Sequence, residues 1–210
     1  MTIIFDFDGT LANTLSTLID IYNNYIVKEF RCKPFDHSRL EEFQKRRPSE
    51  FMKDFGITPL KLPFIAVRAR NLLKQEMPNV EAFQGIVYTI HQLKEKGIQL
   101  GIVTSNSEKN ARLFLQRYQI EQYFDFVNGG RSLISKKKAL LRIIKNYQID
   151  TKKVLYIGDE IRDISSCREV GIPVAAVMWG NHHPDLLKAH QPDWMLQTPQ
   201  DILDLVVTMI

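Results

Sequence analysis

A chain of 210 residues, 44% apolar and 25% charged, has enough apolar surface to bury a sizeable core, as one domain or as a core with a modest insertion. Its net charge of +4 favours anionic partners such as phosphates, but Lys and Arg are scattered along the chain, so no nucleic-acid face is expected. Cys32 and Cys167 stand far apart in no CxxC arrangement, and His37, His91 and His190 have no ligand spacing, which argues against a disulfide framework and a zinc site. The N-terminal apolar run meets Asp6 and Asp8 before it could serve as a signal peptide, and no apolar stretch approaches the length of a membrane span. A cytoplasmic protein with reduced thiols and no membrane partner is expected.

In chain order, Thr2–Phe7 reads as a buried strand running into a turn at Gly9. Residues 14 to about 80 carry no clear strand. Leu15, Leu18, Ile19, Tyr22 and Ile26 recur at helical spacing, and further helical stretches fall near 39–55 and 60–77, broken by Pro48, Pro59, Pro63 and Pro78. This part reads as a small helical subdomain. From Phe83 onward the pattern alternates: helix 86–96 stopped by Gly97, strand 98–103, helix 108–118, a short strand at Phe126-Val127, helix 136–147, strand 153–157, helix 162–170 stopped by Gly171, strand 173–177, and a closing helix, strand and helix. Strands alternating with helices imply right-handed crossovers and a parallel sheet covered on both faces. Ligands of such sheets bind beyond the carboxyl ends of the strands, which directs attention to the polar residues there.

Four strand ends carry unusual polar groups. In DFDGTLANT, Asp6 and Asp8 close an apolar strand, where two carboxylates are costly unless a cation compensates them; Gly9 permits a tight turn and Thr10 offers a hydroxyl. In GIVTSNS, the hydroxyl of Thr104 and the following backbone N–H groups, through Ser105 and Asn106, suit an anion at a helix start. In SLISKKKALL, Lys136, Lys137 and Lys138 begin a helix, where the dipole disfavours a cation and a nearby anion would explain one. In YIGDEIRDI, Asp159 and Asp163 are four apart and can share one side of a turn. Together Asp6, Asp8, Asp159 and Asp163 supply hard oxygen donors at one end of the sheet, a set suited to magnesium, while Thr104 and a Lys balance a phosphate. His182 and His183 read as loop residues, and Trp179 and Trp194 as packing residues.

The order of these motifs resembles the haloacid dehalogenase superfamily in its phosphatase branch. DFDGT at 6–10, the apolar strand ending at Thr104, the Lys run at 136–138 and GDEIRD at 158–163 carry the likeness, which spans residue 3 to about 180. The tail WGNHHPDLLKAHQPDWML is similar to the end of phosphoglycolate-phosphatase-like members. The resemblance implies an α/β fold: a Rossmann-like parallel-sheet core at 1–13 and 81–210, with a helical cap at 14–80. It implies Asp6 as nucleophile and magnesium ligand, and Asp8 as general acid and then base, its backbone carbonyl on the metal. Thr104 would hold the phosphoryl oxygens and Lys136 would neutralise the phosphate and Asp6. Asp159 would bind magnesium directly, and Asp163 directly or through water. Gly9, Thr10, Ser105 and Asn106 would line the substrate. Asp8 separates this reading from the dehalogenase one, since displacing halide from carbon needs no acid there and no metal.

Two departures stand out. The family often has Gly or Pro beside the motif-three lysine, where this chain has Ser135 and Lys137; Lys136 is favoured because Leu140 and Leu141 then fall where the family's helix is apolar, with Lys138 second. Asn13 stands where many relatives carry Asp. The cap, with Asn13, Arg46 and Arg47 as candidate contacts, would choose among small phosphorylated metabolites, phosphoglycolate, sugar phosphates and nucleoside monophosphates included. A phosphomutase or phosphotransferase of the same superfamily is the competing enzyme reading, and a non-catalytic phosphate-binding module the competing non-enzyme one. The oligomeric state is not legible.

Overall fold

Runs such as Ile3-Ile4-Phe5 and Leu155-Tyr156-Ile157 have no polar face, and a strand of that kind is stable only when both sides are covered. The computed structural model describes residues 1–46, 48–130 and 136–209 and places these runs in the middle of a six-stranded parallel sheet. Strand β1 (Thr2–Phe5) leads through a turn to the two-residue strand β2 (Ala12–Asn13). Helix α1 (Leu15–Ile21) continues through a π-helical stretch, Tyr22–Ile26, into α2 (Val27–Phe30), so the first helix runs one turn beyond its predicted extent. Helices α3 (Leu40–Lys45), α4 (Pro48–Asp54) and α5 (Leu62–Glu76) follow. Strand β3 (Glu81–Ala82) then pairs antiparallel with β2 and closes the helical segment at its neck. Two residues per strand leave no alternation to detect, which is why this ribbon was not anticipated.

The rest of the chain alternates as expected: α6 (Ile86–Glu95), β4 (Gln99–Val103), α7 (Glu108–Arg117), β5 (Phe124–Asn128), α8 (Lys136–Asn146), β6 (Val154–Gly158), α9 (Ile161–Val170), β7 (Val174–Val177), α10 (Pro184–Ala189), β8 (Trp194–Leu196) and α11 (Pro199–Met209). The sheet order is β5-β4-β1-β6-β7-β8, with every neighbouring pair parallel. Counting only these six strands, this is the 3-2-1-4-5-6 order of a Rossmann-like fold, and its switch point lies between β1 and β6.

The period of two along each strand divides the core. Ile3, Phe5, Leu155, Ile157, Ala175 and Val177 face one layer of helices, and Ile4, Val154, Tyr156, Val174 and Ala176 face the other. Each large side chain buried this way contributes roughly 1.5–3 kcal/mol. The helical segment has a separate small cluster, Ile19, Phe35 and Phe55. No helix among the described residues is long and apolar enough to cross a membrane.

Candidate active site

Because β1 and β6 are neighbours, the first carboxylates after them meet. Asp6 N–H donates to the Ile157 carbonyl (2.8 Å), and Asp6, Asp159 and Asp163 are all buried. Each offers one carboxylate oxygen, and these oxygens lie within 4.8 Å of one another. Lys136, the first residue of α8, is buried beside them; its Nζ donates to Asp6 Oδ2 at 2.6 Å and is paired with Asp163. These anions offset the dipole penalty of a cation at a helix start. Lys137 pairs instead with Glu169 at 3.0 Å, and Lys138 is exposed. Ser135 lies outside the described residues.

Both oxygens of Asp159 are held. Thr10 Oγ1 donates to Oδ1 (2.9 Å) and the Asn181 N–H to Oδ2 (2.8 Å). Gly9, at φ +77°, and Gly180 close around this carboxylate, and a Cβ on either would run into the Asp159 side chain. Asp163 Oδ2 accepts the Glu160 N–H (3.0 Å), which fixes the start of α9. Asp8 stands apart from the trio: its Oδ1 accepts from Asn106 Nδ2 at 3.0 Å. Phe7, between the two aspartates, points into the core against Phe114, their rings edge to face at 5.2 Å. Thr104 is buried and its Oγ1 accepts the Asn106 N–H (2.9 Å), which closes the turn after β4. Ser105 Oγ accepts from Arg162 Nη2 (3.0 Å), and Ser107 caps α7 by accepting the Asn110 N–H (3.1 Å).

The charges do not balance. Burial opposes the charge of Lys136, yet Asp163 and Asp6 outweigh it and hold the ammonium above the ordinary lysine range. Asp6 is nevertheless pushed up, first by burial. Asp159 is pushed well up by burial and then by the charges of Glu160, Asp6 and Asp163. Asp8 is raised to about 6, chiefly by burial and then by Asp6. The Lys136 ammonium, with the Arg162 guanidinium that is itself paired with Glu160, does not neutralise the cluster, and a further cation among Asp6, Asp159 and Asp163 would relieve the penalty. Three carboxylates with no nitrogen or sulfur donor fit a hard ion such as magnesium, which binds few carboxylates and retains water.

Of the candidates toward the helical segment, Asn13 is exposed in β2, Arg46 is engaged by Glu42 (3.1 Å) and Asp54 (3.0 Å), and Arg47 lies outside the described residues. His182 is buried, its Nδ1 accepting the Ile161 N–H (3.1 Å), and Trp179 Nε1 donates to the Thr10 carbonyl (3.1 Å). Arg162, Asn181 and Gly180 were not singled out from the sequence. Arg162 sits inside GDEIRD, and Gly180 and Asn181 open the tail WGNHHPDLLKAHQPDWML; these two motifs were the available signals.

The six-stranded Rossmann-like sheet gathers acidic groups and a lysine at its switch point, and the sequence profile of the haloacid dehalogenase-like hydrolases matches residues 3–177. The chain belongs to this family, and it is an enzyme of the phosphatase kind. It is 33% identical to a phosphoglycolate phosphatase of Synechococcus elongatus, over 99% of this chain and 98% of that protein. It is 23% identical to a pyrophosphatase of Bacillus cereus, over 99% and 97%. In fold it is similar to a haloacid dehalogenase-like family hydrolase of Streptococcus pneumoniae, with a TM-score of 0.82, 23% identity, and 98% and 97% of the two chains covered.

Proposed function

We propose that the chain is a cytoplasmic, magnesium-dependent phosphatase of a small phosphorylated metabolite, with Asp6 as nucleophile. The observation that carries this reading is the meeting of Asp6, Asp159 and Asp163 around Lys136 at the switch point. Asp6, Asp159 and Asp163, with the backbone carbonyl of Asp8, would hold the magnesium ion. When bound it supplies charge stabilisation to the phosphoryl oxygens.

An Asp6 carboxylate oxygen attacks phosphorus as the bond to the leaving oxygen breaks, giving an aspartyl-phosphate. Asp8, whose carboxyl is raised to about 6, gives its proton to the leaving oxygen. It then takes a proton from the water that attacks the aspartyl-phosphate, so inorganic phosphate leaves and Asp6 is regenerated. Lys136 and the Thr104 turn, with Ser105 and Asn106, steady the phosphoryl group through both steps. The Gly9-Thr10 turn shapes the site, Thr10 by steadying Asp159. Residues 14–80 act as a cap that excludes water and selects the substrate. Phosphoglycolate is the first metabolite to test, given the Synechococcus relative.

The test is hydrolysis of an aryl phosphate by the purified protein, with and without magnesium, beside Asp6→Asn. Turnover is expected to require the metal and to fall by roughly 10⁴-fold or more in the variant. Turnover that persists in Asp6→Asn, with contamination and deamidation excluded, would sink the nucleophile assignment.

A further inference from the structure

The described arginines between β2 and β3 differ in their partners. Arg39 is paired with Glu42, Arg46 with Glu42 and Asp54, and Arg68 with both oxygens of Glu29, while Arg31 is exposed. Arg70, on α5, is half-buried, and among the described residues no carboxylate lies within ion-pair distance of it. Its guanidinium makes one bond there, from Nη2 to the Ser105 carbonyl at 3.3 Å. That is a long contact to a neutral acceptor, and it uses one of five donors. The guanidinium therefore has donors left for an anion.

Ser105 is the residue after Thr104, and it is held from the other side as well, since Arg162, whose Nε is paired with Glu160, donates from Nη2 to its hydroxyl at 3.0 Å. Two guanidiniums from two different helices thus converge on one residue of the phosphoryl-holding turn. The backbone of Arg70 is fixed with equal care. Asn110 Nδ2 donates to the Arg70 carbonyl (3.3 Å) and to Asn106 Oδ1 (3.0 Å), and Asn106 Nδ2 donates to Asp8 Oδ1 (3.0 Å). A continuous polar chain therefore ties the position of Arg70 on the helical segment to the carboxylate of Asp8.

We infer that Arg70 is a specificity-determining residue which, with Arg162, takes a second anionic group of the substrate, a carboxylate or a phosphate, carried close to the scissile phosphate. This rests on the phosphatase reading above and narrows its substrate class. The planar fork of arginine matches either anion in two-pronged fashion. Neighbouring residues are only about 3.8 Å apart along the chain, so a group at Ser105 and a phosphoryl at Thr104 belong to a short molecule. A two-carbon phosphate ester ending in a carboxylate fits, as does pyrophosphate; a long sugar phosphate with a single anionic end makes no use of Arg70.

The experiment compares kcat/KM for 2-phosphoglycolate and for pyrophosphate with that for phenyl phosphate, in the wild-type protein, Arg70→Met and Arg70→Lys, alongside thermal midpoints. In Arg70→Met the two-anion preference is expected to fall about 10-fold or more, mainly through KM, with partial recovery in Arg70→Lys. A fall with 2-phosphoglycolate alone names a carboxylate as the second anion, and a fall with pyrophosphate alone names a phosphate; either supports the inference. A preference within two-fold of wild type in both variants overturns it while leaving the phosphatase reading intact. Should Arg70→Met not fold, Arg70→Lys decides by the same ratio. Absence of turnover by the wild type on all three compounds removes the phosphatase reading and this inference together.

Discussion

The core and the helical segment are packed to different standards. In the core, Ile3, Phe5, Phe114, Tyr156 and Ile157 are fully buried, and side chains fill both faces of the sheet. In the helical segment, Ile19, Phe35 and Phe55 form a small cluster beside an apolar cavity of about 310 Å³ that Leu18, Tyr22, Phe43 and Met52 help to line, while Leu60 and Phe64 are 83% and 68% exposed. The core surrounds charges that must not move, since a misplaced carboxylate or ammonium in a dry site loses its partner outright. The helical segment joins the main core through Ile21, Ile26, Ile65, Leu72, Leu73 and Met77, and polar bonds run from Gln44 to Gly180 and His183, from Arg70 to Ser105, and from Asn110 to Arg70. The side of the segment away from the core is the loosely packed one.

The sharpest way to break this contrast is at the buried ion cluster. Lys136→Met leaves Asp6 and Asp163 without their ammonium, and a loss of about 3–5 kcal/mol is expected by urea titration, together with a fall in turnover beyond that of any substitution in the helical segment. A variant as stable as wild type would mean that the cluster is not held by this cation. Paired aromatic truncations come next. Phe114→Ala, behind Phe7 and fully buried, is expected to cost about 3–5 kcal/mol, whereas Phe55→Ala, beside an existing cavity, is expected to cost about 2 kcal/mol. Equal costs in calorimetry would remove the packing distinction between the two regions. The smallest effect is expected at the contact between them. Gln44→Ala deletes the 3.3 Å bond to the Gly180 carbonyl and keeps the backbone bond to His183, so stability should change by about 0.5–1.5 kcal/mol, with a larger proportional change in KM than in kcat. A kcat loss equal to that of a core variant would show that the helical segment does more than select.

The legible part of the site was the part carried by strand ends. Asp6, Thr104 and Asp159 each follow an apolar run that can only be a buried parallel strand, and the parallel topology then places them at one end of the sheet. Among the three consecutive lysines the resemblance favours Lys136, which begins α8 and is paired with Asp6 and Asp163. Gly180 and Asn181, which close on Asp159, sit in the loop after β7; the tail that the resemblance covers contains them, but neither the strand nor the helix period points to their role.

The sequence by itself determined the alternation of strands and helices, the motifs at the strand ends and the all-oxygen donor set, because burial on two faces and the cost of unpaired carboxylates are written in local composition. Only the tertiary structure decided that Lys136 meets Asp6 and Asp163, that Thr10 spends its hydroxyl on Asp159, and that Arg70 reaches the Thr104 turn. These are contacts between residues from 27 to 149 positions apart, and no local spacing encodes them; they exist once the sheet order brings separate strand ends to one switch point and the helices close over it.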